Sequence, residues 1–301
     1  MPYLLFILVS LIWGTSFAFM RGALHAFGYM QVSMLRALAG TAVLALLWVA
    51  GRRKLTLGRW GVGPLVFLAF VGYAVPYAIQ PYVIREVDAA VGRGSSFMGL
   101  VTGLVPLFTV VVQAVMMRIW PTPREWVGVL GGLALLTFLA WDEVSRGAPA
   151  GVFLLAACTP MCYAIGNTYV KHRFHDASPL ALTTSAMGLA TFMLLPLSVS
   201  EGPVNTQGRL GLALVCVVVL GIVCTGLGFY LFYKLIHMRG PLFAGMVGYI
   251  IPSVALVIGA ILQETITWVQ AATLVGVFVM VAIAQYQPAA AKAEIEMTTV
   301  E

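Results

Sequence analysis

Long apolar runs separated by short polar links set the pattern of this chain. Most runs hold about 20 residues, the length that a helix needs to cross a hydrocarbon layer of about 30 Å. Because the runs are unbroken and do not alternate like barrel strands, they favour helices over a β-barrel. The pattern predicts an all-α membrane protein with ten transmembrane helices, near residues 2–20, 30–50, 62–84, 91–116, 126–141, 151–170, 180–200, 210–233, 240–262 and 268–286.

The composition of the chain supports the same interpretation. Apolar residues make up 61% of its 301 residues and charged residues only 9%, whereas soluble domains contain about 25% charged residues. So few charges cannot cover the surface of a water-soluble protein. No hydrophilic stretch reaches the roughly 50 residues of a separate soluble domain. The sequence therefore predicts a chain embedded in the lipid bilayer along nearly its whole length.

Basic residues collect on alternate links between the predicted helices. With the N-terminus in the cytoplasm, 11 of the 17 basic residues fall on cytoplasmic segments and 5 on external ones, and Arg36 lies within the second helix. Because cytoplasmic loops carry the basic excess, we expect both termini, including the tail 287–301, in the cytoplasm. The net charge of +6 is scattered over these links and does not indicate nucleic-acid binding.

One motif occurs twice at a constant offset. The pattern R-G-x4-G-x6-P runs from Arg93 to Pro106 and from Arg239 to Pro252, 146 residues later. The same offset divides the ten predicted helices into five and five. Because five is odd, the second half must be inverted in the membrane, an arrangement typical of transporters with alternating access. The predicted units are an inverted pair of five-helix repeats, 1–146 and 147–286.

The residues inside the predicted spans exclude several kinds of chemistry. Every Asp, Glu and His lies in a loop, in the tail or at a helix end. No metal-ligand cluster, nucleophile–base pair or phosphate-binding loop can be assembled, so we expect no catalytic residue, cofactor or metal. Because proton coupling needs a titratable group near the substrate site, the sequence predicts an uncoupled facilitator.

Polar and aromatic side chains recur at helical spacing and provide candidates for a substrate cavity. Faces of the third and sixth helices follow the i, i+4 spacing, and residues of four other helices extend the set. A single Tyr, Trp or Ser of this kind is as often an interface anchor or bonded to its own helix. The candidate substrate-binding residues are Trp13, Tyr73, Tyr77, Gln80, Ser96, Thr102, Tyr163, Asn167, Tyr230, Tyr249 and Ser253.

Other intramembrane features are expected to be structural. Arg36 is the only charge placed well inside a span, and a structural hydrogen bond or snorkelling is favoured over substrate binding. Pro106 and Pro252 remove backbone N–H donors and are expected to kink their helices. The cysteines, which all fall in apolar runs, are expected to be packing residues.

Several segments together resemble the EamA-type members of the drug/metabolite transporter superfamily. They are Ser10–Phe17 (SLIWGTSF), Arg36 followed by small residues, the two R-G-x4-G-x6-P segments, and Leu262-Gln-Glu264. Within the superfamily the chain is similar to the YddG-type exporters of aromatic amino acids. One departure concerns Glu264, which closes the ninth helix. The corresponding position of the first half, 146 residues earlier, is Arg118, so the two halves are not chemically equivalent.

This resemblance implies a multi-pass transporter of the bacterial inner membrane that exports amino acids, mainly aromatic ones, or related metabolites. Its partners would be a small-molecule substrate and the bilayer, and it would act as a monomer or weak homo-oligomer. Two alternatives stay open at this point. One is a multidrug or other-metabolite carrier of the same fold, and the other is an intramembrane enzyme or scaffold.

Overall fold

The chain folds into a bundle of apolar helices. The computed structural model describes residues 2–51, 61–118, 120–174, 177–207, 209–245 and 247–285, and these contain no strand. The helices are α1 Pro2–Ala23, α2 Tyr29–Ala50, α3 Val62–Val91, α4 Gly94–Met117, α5 Pro123–Ser145, α6 Ala150–Arg173, α7 Pro179–Ser200, α8 (Leu210–Val219, Leu220–Leu227 and Gly228–Gly245), α9 Val247–Ile261 and α10 Trp268–Gln285.

Eight of these helices, α1 to α8, are long and apolar enough to cross a membrane. The last two, α9 and α10, are shorter apolar helices. Most helices coincide with the apolar runs of the sequence, so the all-helical membrane fold is confirmed. Two predicted boundaries were wrong: α3 continues past residue 84 to Val91, and α8 continues through the predicted link 234–239 to Gly245, so that α9 begins only at Val247. Ten membrane spans and the inverted relation of the two halves stay predictions.

Three helices are interrupted, and the sequence gives a local reason for two of the interruptions. In α3, the π-helical turn Phe70–Ala74 precedes Pro76, which has no N–H to continue the regular hydrogen-bond ladder. In α4, the first segment ends at Thr102 and the second resumes at Val105, directly before Pro106. α4 is thus interrupted just before Pro106, where a kink was expected, whereas α9 is helical through Pro252, where the expected kink stays a prediction.

A longer π-helical segment, Leu220–Leu227, lies within α8. Its Thr225 hydroxyl donates to the Leu220 carbonyl at 2.9 Å. Gly221 allows this segment to approach α2, because a Cβ there would lie 2.5 Å from the Cβ of Ala39. The segment thus brings the backbone of α8 against the part of α2 that carries Arg36.

The two segments of the repeated motif contact each other where α4 crosses α9. A Cβ on Gly99 would overlap Ala255, and one on Gly103 would lie 2.5 Å from Pro252. Small residues at such crossings let helix backbones approach closely, which is the main way that helices pack within lipid. The crossing therefore depends on these two glycines.

Replacing Gly99 with alanine is expected to destabilise the protein, since overpacking of this kind costs about 1–3 kcal/mol. Gly248→Ala in α9 is a matched control, because a methyl group there would meet no atom within 4 Å. Both substitutions raise helix propensity by the same amount. The difference between their stabilities therefore measures the packing cost at the crossing. Thermal unfolding in detergent measures it, and a Gly99→Ala protein as stable as Gly248→Ala would contradict the expectation.

Candidate functional site

The centre of the bundle contains a buried arginine. Arg36 of α2 is 6% exposed, and its guanidinium lies over the ring of Tyr77 at 4.1 Å from the centroid. Its Nη1 donates to Gln80 Oε1 at 3.1 Å and to the sulfur of Met20 at 3.3 Å. Arg36 therefore does not snorkel to the interface but joins α1, α2 and α3 from within.

No carboxylate neutralises Arg36 among the residues that the structure describes. The seven described acidic residues, out of 11 in the chain, all lie in loops or at helix ends. The Nε atom of Arg36 is buried and has no hydrogen-bond partner among the described residues. Burying an unpaired charge costs several kcal/mol, so this arrangement is unlike an ordinary packing contact.

Aromatic side chains form a wall beside Arg36. Tyr73 and Tyr77 meet edge to face with centroids 6.0 Å apart, and Tyr73 contacts Phe229 at 5.8 Å. Trp13 packs against Phe229 at 5.3 Å and Phe232 at 4.9 Å. The Trp13 indole N–H donates to the Cys224 carbonyl, at 3.0 Å, within the π-helical segment of α8.

Tyr163 of α6 reaches the same region from the second half of the chain. Its phenol lies near the side chains of Gln80 and Arg36. We call Arg36, Gln80, Trp13, Tyr73, Tyr77 and Tyr163 the central site. Four of its members were predicted from helical spacing and one from the first helix, whereas Arg36 was expected to be structural.

The remaining sequence-predicted residues differ in exposure and contacts, and Tyr230 packs against the buried cluster that contains Tyr73 and Tyr77. Asn167 is exposed, although its i, i+4 spacing puts it on the same face of α6 as Tyr163. Tyr230, Tyr249 and Ser253 are partly buried. The Thr102 hydroxyl donates to the Met98 carbonyl of its own helix at 2.9 Å.

Ser96 lies at the end of the bundle where most of the charged residues described by the structure are found. We call Arg21, Asp88, Arg93, Glu143, Glu201 and Glu264 the charged end. Its best-buried ion pair joins Arg93 to Glu143, with Nε at 2.8 and 2.9 Å and Nη2 at 2.7 Å from the carboxylate oxygens. Gln270 of α10 adds a hydrogen bond to Glu143 at 3.4 Å.

Glu264, in the loop after α9, caps the start of α4. It accepts from the backbone N–H of Ser95 at 3.3 Å and of Ser96 at 3.0 Å, and from both serine hydroxyls. A carboxylate at this position is favoured because the first N–H groups of a helix have no internal partner. Arg21 Nη1 lies 3.3 Å from Glu264 Oε1, and Arg21 Nε lies 2.9 Å from Asp88 Oδ1.

Glu201 makes an equivalent contact at the start of α2. It follows α7 and accepts from the backbone N–H of Gln31 at 2.9 Å. Gly28 leaves room for this contact, since a Cβ at Gly28 would displace the Glu201 carboxylate. At the same end, the Asn205 N–H donates to the Ala26 carbonyl at 2.9 Å. Two carboxylates from the second half of the chain thus cap two helices of the first half.

Sequence reasoning did not find these acidic caps as a connected set. Each acidic residue follows the end of an apolar run, which is also where ordinary solvated loop charges lie. The available signal was the repeated motif itself, because Arg93 and Gly94 begin it and Ser95 and Ser96 follow directly. Among the described residues, no group of three His, Cys, Asp or Glu side chains could hold a metal ion.

Apolar helices around a polar, aromatic centre define a multi-pass membrane protein. Comparison with known proteins then specifies the class. The EamA-like transporter family matches residues 1–141 and again residues 150–285, so this chain belongs to that family of membrane transporters.

Two further similarities are found, one to a transporter and one to a solved structure. An uncharacterized transporter of Archaeoglobus fulgidus is 26% identical over 251 residues, which cover 83% of this chain and 86% of the relative. The crystal structure of another protein matches with a TM-score of 0.67 at 19% sequence identity. The match covers 94% of this chain and 96% of the other; at this identity the likeness concerns the fold alone.

Proposed function

We propose that this transporter exports small aromatic metabolites, amino acids among them, from the cytoplasm across a bacterial inner membrane. Substrate would bind at the central site, between the two halves of the chain. The observation that carries the proposal is the combination of a buried polar pair, Arg36 and Gln80, with an aromatic wall of Trp13, Tyr73 and Tyr77. Apolar walls with few polar groups suit a small amphipathic ligand.

Three observations support inverted repeats and alternating access. The R-G-x4-G-x6-P motif recurs at an offset of 146 residues, and the family matches the chain in two successive segments. A π-helical segment occurs in the third helix of each half, within α3 and within α8. In this proposal, the halves rock about the α4–α9 crossing.

The two ends of the bundle differ in a way that supports a cytoplasm-facing conformation. The charged end, which we assign to the external side, is tied together by ion pairs and capping carboxylates. Towards the opposite end, Asn167 is exposed on the face of α6 that carries Tyr163, and Gly248 borders open space. An opening there would admit substrate from the cytoplasm.

Flux of radiolabelled aromatic amino acids in proteoliposomes tests the proposal. We expect saturable flux down the substrate gradient, reduced by aromatic competitors more than by other amino acids. With equal substrate on both sides, an imposed pH gradient should drive no accumulation, because the described acidic residues lie at helix ends and in loops. Absence of saturable flux for every aromatic compound would refute the transport proposal, and pH-driven accumulation would refute uncoupled transport.

Tyr77→Ala is expected to weaken apparent substrate affinity several-fold, since an aromatic stacking contact contributes on the order of 1 kcal/mol. Tyr77→Phe is the control, because it keeps the ring and removes only the hydroxyl. Competition curves in the flux assay measure both. If folded Tyr77→Ala protein bound substrate with wild-type affinity, the binding site would not lie on this face of α3.

The orientation of the chain is expected to follow its basic residues, with both termini in the cytoplasm. Reporter fusions after Arg53 and after Arg146 should report opposite sides, with Arg53 inside. Arg53 falls outside the described residues, whereas Arg146 follows α5 at the charged end. The same side for both fusions would overturn the topology.

A further inference from the structure

We propose that Arg36 binds the carboxylate of the transported solute, and that the central site prefers aromatic monocarboxylates with net negative charge over the zwitterionic amino acids of the same ring. This inference rests on the proposed transport function and narrows its substrate class. It gives a substrate-binding role to Arg36, for which the sequence alone favoured a structural role.

The first argument is the unused hydrogen-bonding capacity of Arg36. Its Nη1 is bonded to Gln80 and Met20, but its Nε is buried without a hydrogen-bond partner in the described part of the chain. A guanidinium presents its N–H groups in a planar fork that matches the two oxygens of a carboxylate. A carboxylate approaching Nε would complete a hydrogen-bond set that the described side chains leave incomplete.

The second argument is electrostatic. The groups that face Arg36 are Tyr77, Gln80 and Met20, with Tyr163 and Cys224 nearby. None of them carries a negative charge in its ordinary form. An ionised residue kept deep in a membrane is expensive and typically marks a substrate or ion pathway. An anionic solute would remove the unpaired positive charge, whereas a neutral solute would leave it.

The third argument concerns the ammonium group of an amino acid. In the described part of the chain, the carboxylates lie at helix ends or in loops, away from the central site. The Gln80 carbonyl oxygen is already bonded to Arg36. The ammonium group of an amino acid would therefore lose its hydration in the central site without pairing with a carboxylate. Burying a charge in this way is unfavourable. The aromatic wall, by contrast, suits the ring of either solute.

The test compares four indole compounds on the purified full-length protein in lipid nanodiscs. Indole-3-propionate carries only the carboxylate, indole-3-propionamide is its neutral analogue, tryptophan is the zwitterion, and tryptamine is the cation. Direct binding and proteoliposome flux are measured for the wild type, Arg36→Lys and Arg36→Gln. Arg36→Lys keeps the charge but loses the planar fork, and Arg36→Gln loses both.

We expect the wild type to bind the propionate at least about tenfold more tightly than the amide, as for loss of one charge-assisted hydrogen bond. Tryptophan should bind more weakly than the propionate, and tryptamine weakest of all. Arg36→Gln should lose about tenfold in propionate affinity while its amide affinity changes less than about twofold. Arg36→Lys should give an intermediate propionate affinity.

The outcomes separate this inference from the transport proposal. Equal affinities of the wild type for the acid and the amide would overturn the role of Arg36 even if no variant folds. Unchanged propionate binding in folded Arg36→Gln would do the same, and tighter binding of tryptophan than of the propionate would refute the preference for net anions. Saturable flux with any of these results leaves transport intact, whereas no flux of any compound refutes the proposed function itself.

Discussion

Replacing Glu143 with alanine is expected to destabilise the protein by about 3–5 kcal/mol, the cost of leaving one member of a buried ion pair uncompensated. The side chain of Glu143 is fully buried and that of Arg93 is 4% exposed. Without Glu143, the Arg93 guanidinium would keep, among the described carboxylates, only that of Asp142, which lies 3.8 Å away. Chemical or thermal unfolding in a defined detergent measures the loss.

Two controls give this expectation its specificity. Glu86→Ala removes a neighbour of Arg85 in a half-exposed pair, and such pairs contribute about 0–1 kcal/mol. The double variant Arg93→Met, Glu143→Leu removes both buried charges and is expected to be more stable than Glu143→Ala alone. If Glu86→Ala and Glu143→Ala cost the same, burial does not govern the energy of these pairs.

Glu264→Gln is expected to open the charged end without a comparable loss of stability. Glutamine keeps the shape of the side chain but loses the charge that faces Arg21 and the start of α4. Loss of hydrogen bonds to a charged group costs about 1.5–3 kcal/mol each, and 1.4 kcal/mol corresponds to about a tenfold change in an equilibrium. We therefore expect at least about a tenfold increase in the population that is open at this end.

The readout is modification of a cysteine introduced at Thr102, in the middle of α4, by a membrane-impermeant thiol reagent added outside. The four native cysteines are first replaced by alanine: Cys158, Cys162, Cys216 and Cys224. Glu264→Gln should speed the modification about tenfold, and Glu86→Gln, on the same end but paired only with its neighbour, should not. Equal rates in the wild type and Glu264→Gln would show that this carboxylate does not hold the charged end closed.

The apolar pattern was sufficient to predict the helices because lipid imposes a length and a composition on every segment that crosses it. The predicted run 30–50 became Tyr29–Ala50, and 180–200 became Pro179–Ser200. The third run, 62–84, was too short by about two turns because Arg85, Glu86 and Asp88 were taken as its end. These charges instead extend α3 into the charged end, where Asp88 meets Arg21.

The contacts of the central site were only partly predictable. Helical spacing placed Tyr73, Tyr77 and Gln80 on one face, and the structure brings all three together beside α2. A structural hydrogen bond was among the expectations for Arg36, but spacing within one helix cannot show what faces it from another helix, so Gln80 was not foreseen as its partner. The π-helical segments were also missed, because they depend on backbone hydrogen bonds that leave no periodic signal in the sequence.

The capping of α2 by Glu201 and α4 by Glu264 has a kinetic consequence for a carrier of the proposed kind. These caps would hold the empty protein in the cytoplasm-facing conformation. Net uptake would then be limited by the step in which the empty carrier opens to the outside again. The substrate concentration that half-saturates transport would then differ between the two faces of the membrane. The ratio Vmax/KM would stay equal in both directions, because transport that is not coupled to another gradient cannot favour one direction. Substrate on the side toward which transport runs would accelerate the flux, because the carrier could then return loaded. Variants that weaken the caps should show a smaller acceleration of this kind.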